Sequence, residues 1–155
     1  ALMLKLKENN IKQPKMAILA SGYFDLTNTG ESYTLNENTD PLLTKTQTSY
    51  MSTAYLIGNQ VKLLPPKALS NPLISPIYAD LSGLPPMYIS VCEDELLYSD
   101  SLKVYNNCLR DNVKAKFHTT KNCFHAYLIL GDFFLESKKA TIDCCNYVKK
   151  ICKLN

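Results

Sequence analysis

Two side chains have the types to work as a base and its orienting acid: His125 and Asp94. An imidazole gains and loses its proton near neutral pH. A carboxylate that accepts a hydrogen bond from Nδ1–H holds the ring and leaves Nε2 free to take a proton from a nucleophile. Asp94 comes directly after an apolar run, in Val91-Cys92-Glu93-Asp94-Glu95-Leu96-Leu97. His125 closes the short segment Lys121-Asn122-Cys123-Phe124-His125, which follows the alternating stretch Ala115–Thr120. Spacing alone also allows a plainer reading, in which Asp94 caps the next helix and His125 is a solvated loop residue. His118, the other histidine, falls inside a strand pattern and is read as a surface or satisfied side chain.

Other chemistries find less support. The six cysteines are Cys92, Cys108, Cys123, Cys144, Cys145 and Cys152, and no two form a C-x-x-C pair. With two histidines, a Cys/His zinc site has poor ligand spacing, so no metal is expected. Cys92 and Cys108 lie in apolar segments, which favours reduced, buried thiols over a disulfide framework. Cys123 is only two residues from His125, whereas a nucleophile and its base usually come from separate loops. The five glycines are never closer than eight residues, Gly22 to Gly30. A P-loop, a G-x-G-x-x-G turn and a G-x-S-x-G nucleophile elbow all need closer glycines, so none is present and no nucleotide cofactor is expected.

The elements that must carry these residues can be read from patterning. A chain of 155 residues is of single-domain size, and 46% hydrophobic with 20% charged residues suits a folded globule. The net charge of +3 is spread too evenly to imply nucleic acid or a membrane surface. No apolar run approaches the ~20 residues of a membrane helix. No leader pattern opens the chain, and a cytoplasmic location is favoured on that ground. Residues 1–8 read as the end of a helix without a start, which suggests a fragment of something longer.

Lys15–Ala20 is a strand-length apolar run whose continuity suggests cover on both faces, as in a parallel sheet, and Pro86–Cys92 reads as the second strand. Ala115–Thr120 alternates and reads as a third strand nearer an edge. Asp40-Pro41 looks like an N-cap with proline at the first helical position, opening a helix over Leu42–Ile57. Pro65-Pro66 and Asn71-Pro72 interrupt the chain beyond that helix. Leu97–Arg110 carries a stripe of Tyr98, Ser101, Leu102, Tyr105, Cys108 and Leu109. Phe134–Cys152 carries another, of Thr141, Cys144, Cys145, Val148, Ile151 and Cys152. Strands alternating with helices predict a parallel α/β sheet, whose sites lie beyond the carboxyl ends of its strands.

Several blocks resemble the hormone-sensitive-lipase-like α/β-hydrolases. Ser75 to Pro86, Ser-Pro-Ile-Tyr-Ala-Asp-Leu-Ser-Gly-Leu-Pro-Pro, is similar to the block before that family's acid-bearing strand. Asp94 to Ser101 resembles its D-E-x-L-x-x-D-S stretch. Ser21-Gly22-Tyr23-Phe24-Asp25-Leu26-Thr27 resembles S-P-x-x-D-L-T, with Gly22 in place of proline. Gly30-Glu31-Ser32 and Asp40-Pro41-Leu42-Leu43 resemble G-E-S and D-P-L-L. The histidine block, usually P-G-x-P-H, has lost both prolines, and Asn122 stands for the glycine; asparagine tolerates positive φ better than most residues.

The resemblance runs from Ala1 to about Val148 and implies the C-terminal half of an α/β-hydrolase fold. Residues 1–155 would form a partial domain of the last three strands and their helices. It implies Asp94 as orienting acid and His125 as base of a Ser-His-Asp triad, with Asp100 supporting its helix. The family's G-D-S-A-G serine and H-G-G-G oxyanion loop are not in this sequence. The implied function is therefore half of a serine carboxylic-ester hydrolase, inactive alone, with a small-molecule ester as substrate. Its expected partner is the missing N-terminal half of the fold, or a second copy in a homodimer. The segment from Asp25 to Pro72 would help line the acyl pocket or pack against a cap. The alternative is a non-catalytic small-ligand receptor of the same fold, as the plant gibberellin receptors are.

Overall fold

The computed structural model describes residues 1–57 and 67–154. The elements run α1 (Leu2–Glu8), β1 (Ala17–Ala20), α2 (Ser32–Leu35), α3 (Lys45–Ile57), a 3-10 turn (Pro76–Tyr78), β2 (Met87–Cys92), α4 (Tyr98–Arg110), β3 (Ala115–Thr120), a second 3-10 segment (Tyr127–Phe133) and α5 (Leu135–Cys152). Among the described residues the three strands form one sheet in the order β1-β2-β3, parallel throughout. Ala20, Ser90 and His118 stand in register, so the carboxyl ends of all three strands lie side by side. Among these residues no helix is long and apolar enough to cross a membrane.

The burial of the central strand explains the largely apolar run that marks it in the sequence, in which Ser90 is the one short polar side chain. All six β2 residues are buried. Because strand side chains alternate, Met87 and Ile89 pack with Leu4, Val104 and Cys108 on one face. Tyr88 and Cys92 pack with Ala140, Cys144 and Tyr147 of α5 on the other. A strand covered by helices on both sides can spare no position for a solvent-facing polar residue. β3, at the edge, is half-buried along its whole length.

Three expectations need correction. The helix expected over Leu42–Ile57 begins at Lys45. Asp40 spends one oxygen on the N–H groups of Leu42 and Leu43, a turn ahead of the helix. The cap proper is a reciprocal pair: the Gln47 N–H donates to Thr44 Oγ1 (3.2 Å) and the Thr44 N–H to Gln47 Oε1 (2.9 Å). The buried face of α4 is Asp100, Ser101, Val104, Asn107 and Cys108, with Leu109 exposed. On α5 it is Ser137, Ala140, Cys144 and Tyr147, with Cys145 exposed. Both stripes are rotated from those expected because polar residues, Asp100 and Asn107 on α4 and Ser137 on α5, turn inward to bond backbone groups of neighbouring segments. The expected Pro65-Pro66 break lies outside the described residues. All six cysteines are free, with Cys92, Cys108, Cys123 and Cys144 buried.

Candidate active site

The site is built where the three strands end. β1 delivers Ser21, β2 delivers the turn Glu93-Asp94-Glu95, and β3 leads into the loop that holds His125. In that turn the Glu95 N–H points back to the Cys92 carbonyl (3.3 Å), folding the Glu95 side chain beneath the strand end. Its carboxylate is wholly buried. Oε1 accepts the Cys92 N–H (2.7 Å) and the Ser21 hydroxyl (2.7 Å). Oε2 lies 3.0 Å from Nδ1 of His125.

His125 therefore pairs with Glu95, and not with Asp94 as expected. Asp94 faces the other way: its Oδ2 accepts the Asn122 N–H (2.6 Å) and takes the Cys92 thiol at 3.8 Å. The physical reason lies in the turn. Adjacent residues project in different directions, and only the one beside the apolar pair Leu96-Leu97, both buried, is drawn inward. Asp94 instead ties the acid turn to the histidine loop through the backbone. The signal in the sequence was present but silent: of three consecutive acids, Glu95 abuts the core segment and has the longer reach.

The turn is fixed from its far side by the α2 region. Asn36 Nδ2 donates to the carbonyls of Glu93 (2.8 Å) and Glu95 (2.9 Å). Thr39 donates to the Asp94 carbonyl (3.0 Å), and the Leu96 N–H donates to Asp40 Oδ2 (2.8 Å). Ser32 donates to the Leu96 carbonyl. The Asp40 and Ser32 blocks, which the resemblance singled out, thus hold the Glu93-Asp94-Glu95 turn in place.

The histidine loop needs unusual backbone. Asn122 has φ of 56° and Ala126 has φ of 60°. Asparagine at the first is the substitution that the left-handed region tolerates best. The His125 side chain keeps 31% of its surface exposed. An ionised carboxylate offers only acceptors, so in this contact Nδ1 is the donor, and in the neutral ring Nε2 is then the acceptor. That is the arrangement of a general base with its orienting acid. Burial raises the Cys123 thiol and pushes Cys92 up to about 11, which leaves neither suited to act as a nucleophile.

Two other residues take up different posts. His118 lies on β3 with Nδ1 3.2 Å from Asp143 Oδ2 and its ring stacked on Tyr88, a satisfied side chain away from the strand ends. Asp100 was expected to support its own helix. Instead its Oδ2 accepts the N–H groups of Phe24 (2.8 Å) and Asp25 (2.7 Å), anchoring the loop after Ser21. Within this loop Gly22 has no side chain, and the Phe24 ring occupies the space that a Cβ there would take. Among the described residues no group of three or more His, Cys, Asp or Glu side chains is arranged to hold a metal ion.

Residues 1–129 match the family described as alpha/beta hydrolase fold, and the chain belongs to that family. It is 30% identical over 151 residues to an esterase of Acinetobacter venetianus (strain RAG-1), covering 97% of this chain and 48% of the esterase. An acetyl-hydrolase of Streptomyces hygroscopicus is 28% identical over 127 residues, covering 82% of this chain and 40% of that protein. Among solved structures, an esterase from the bacterial hormone-sensitive lipase family superposes with a TM-score of 0.86 at 27% identity, over 99% of this chain and 48% of that one. A hormone-sensitive lipase from a metagenome library gives 0.84 at 30% identity, over 96% and 48%. The chain thus spans about half the length of the relatives it matches, or somewhat less. That agrees with the resemblance to the C-terminal half of such a fold.

Proposed function

We propose that this chain carries the general base and the orienting acid of a serine carboxylic-ester hydrolase whose nucleophile and oxyanion donors lie on polypeptide outside these 155 residues. The observation that supports it is the hydrogen bond between a buried carboxylate, Glu95, and a part-exposed imidazole, His125, at the carboxyl ends of parallel strands. In this reading a serine hydroxyl attacks the acyl carbonyl of a small ester. His125 Nε2 takes the serine proton and later gives it to the leaving alcohol. Glu95 holds the tautomer and stabilises the imidazolium. The names of the relatives, esterase and acetyl-hydrolase, point to ester substrates. A receptor that only binds its ligand would have no need of a buried acid aligned on an open imidazole.

The missing half would pair along β1, which has one strand neighbour among the described residues and leaves Ile18 half exposed. The test is hydrolysis of a chromogenic short-acyl ester. In the whole protein, His125→Ala and Glu95→Gln should each lower kcat by roughly 10³–10⁴-fold. Asp94→Asn should cost less than about tenfold, because an amide oxygen can still accept the Asn122 N–H and Asp94 is not the partner of the ring. The isolated 155-residue chain should not turn over. Turnover by that chain, abolished by His125→Ala, would contradict the division of the machinery. A greater loss in Asp94→Asn than in Glu95→Gln would contradict the assignment of the acid.

A further inference from the structure

The hydroxyl of Ser21 has an arrangement that the base–acid pair alone does not require. It donates to Glu95 Oε1 (2.7 Å) and accepts the N–H of Ala126, the residue after His125, at 3.0 Å. One oxygen atom therefore touches both the acid and the loop of the base. The residue is 4% exposed, and its own N–H is bound to the Ser90 carbonyl (2.8 Å). Its φ is 46°, a left-handed conformation that costs a non-glycine residue about 1 kcal/mol or more. Ala126, its partner, is left-handed as well. Two strained residues that meet through a single buried hydroxyl point to a geometry held for a purpose.

We propose that Ser21 is a positioning residue that locks the Glu95–His125 pair, by fixing the acid from one side and the base loop from the other. The inference rests on the reading of Glu95 and His125 as acid and base. With the hydroxyl present, Oε1 is saturated by two donors, which leaves Oε2 for the imidazole. The Ala126 N–H, anchored at the same oxygen, sets how far the His125 ring stands from that carboxylate. Without the hydroxyl, the carboxylate can rotate about its last torsion and the loop loses the tie that registers it to the sheet. Binding of substrate is untouched by this; the proton transfer in the transition state is not.

Two variants separate the hydroxyl from the backbone conformation. Ser21→Gly removes the hydroxyl while relieving the left-handed strain, so it should fold at least as well as the parent. Ser21→Thr keeps the hydroxyl at a position where a branched side chain is strained, so it should unfold at a lower temperature. In the whole protein, assayed well below each thermal transition, Ser21→Gly should lose about 10- to 100-fold in kcat with KM changed less than about twofold. Ser21→Thr should recover most of the loss. By proton NMR, the far-downfield Nδ1–H signal expected for His125 should exchange faster in Ser21→Gly and persist in Ser21→Thr. Glu95→Gln serves as the reference. If it abolishes both activity and signal while Ser21→Gly leaves both unchanged, the proposal for Ser21 is overturned and the acid–base reading stands. If Glu95→Gln changes neither, that reading itself has failed and Ser21 has no pair to lock.

Discussion

At the scale of single residues, the candidate site turns on which of two adjacent acids folds inward. Asp94 and Glu95 differ by one methylene and one position, yet one is a loop tie and the other the buried partner of an imidazole. A third acid, Asp100, carries a pH dependence of its own. Burial is the largest influence and pushes it up from 3.8 to about 7; the charge of Asp25 adds to this, while the N–H groups of Phe24 and Asp25 and the Tyr33 hydroxyl pull the other way. Since the folded value lies above the unfolded one, the folded state holds this proton more tightly. Its contribution to stability is therefore full below about pH 4 and is lost as pH rises to about 7. Asp100→Asn keeps an oxygen for the two N–H donors and removes the charge. Thermal unfolding at pH 5 and pH 8 should show the variant gaining stability relative to the parent at the higher pH, by an amount on the order of a few kcal/mol at most. An equal effect at both pH values would mean that Asp100 does not titrate in this window.

At the scale of elements, the central strand sets the geometry. β2 meets a strand on each edge and helices on each face, so its register decides where Ser21, Glu95 and the histidine loop emerge. Ile89 lies mid-strand and is fully buried. Ile89→Ala should cost about 2–5 kcal/mol, through lost transfer energy and the cavity left behind. Denaturant titration should show a lower midpoint at an unchanged slope. A loss below about 1 kcal/mol would indicate that the two helical layers can close over the gap. The short α2 contributes few apolar side chains, but its polar ones, Ser32 and the nearby Asn36 and Asp40, take up backbone groups of the acid turn. These polar contacts act together with the buried cluster of Tyr33, Leu96 and Leu97 to hold that turn.

At the scale of the whole molecule, the sheet has an open side. β1 presents unpaired backbone on its outer edge among the described residues, with Ile18 half exposed, and such edges pair readily with another strand. The isolated chain is thus expected to self-associate. Sedimentation velocity should show a concentration-dependent average mass. Addition of the proposed nucleophile half, expressed separately, should suppress that association and yield ester turnover. A chain that stays monomeric at high concentration and ignores that half would argue that β1 does not serve as the joining edge.

The three strands and the two long helices after β2 were legible in the sequence because each carries its own period and length. A continuous apolar run marked β1, a largely apolar run of strand length marked β2, alternation marked β3, and the resemblance, with asparagine standing for a glycine, pointed to the left-handed Asn122. His125 could be singled out as a candidate base only through the resemblance of the surrounding blocks, because spacing alone left it equally a solvated loop residue. Which carboxylate lies beside the His125 ring, the rotated faces of α4 and α5, and the post of Asp100 were decided only by the tertiary structure. Each depends on which way a side chain points after a turn or across a layer, and that direction is set by the space left between elements distant in the chain. Ser21 belongs to the same class: a serine at a strand end says nothing until Glu95, 74 residues on, and Ala126, 105 residues on, are brought to its hydroxyl.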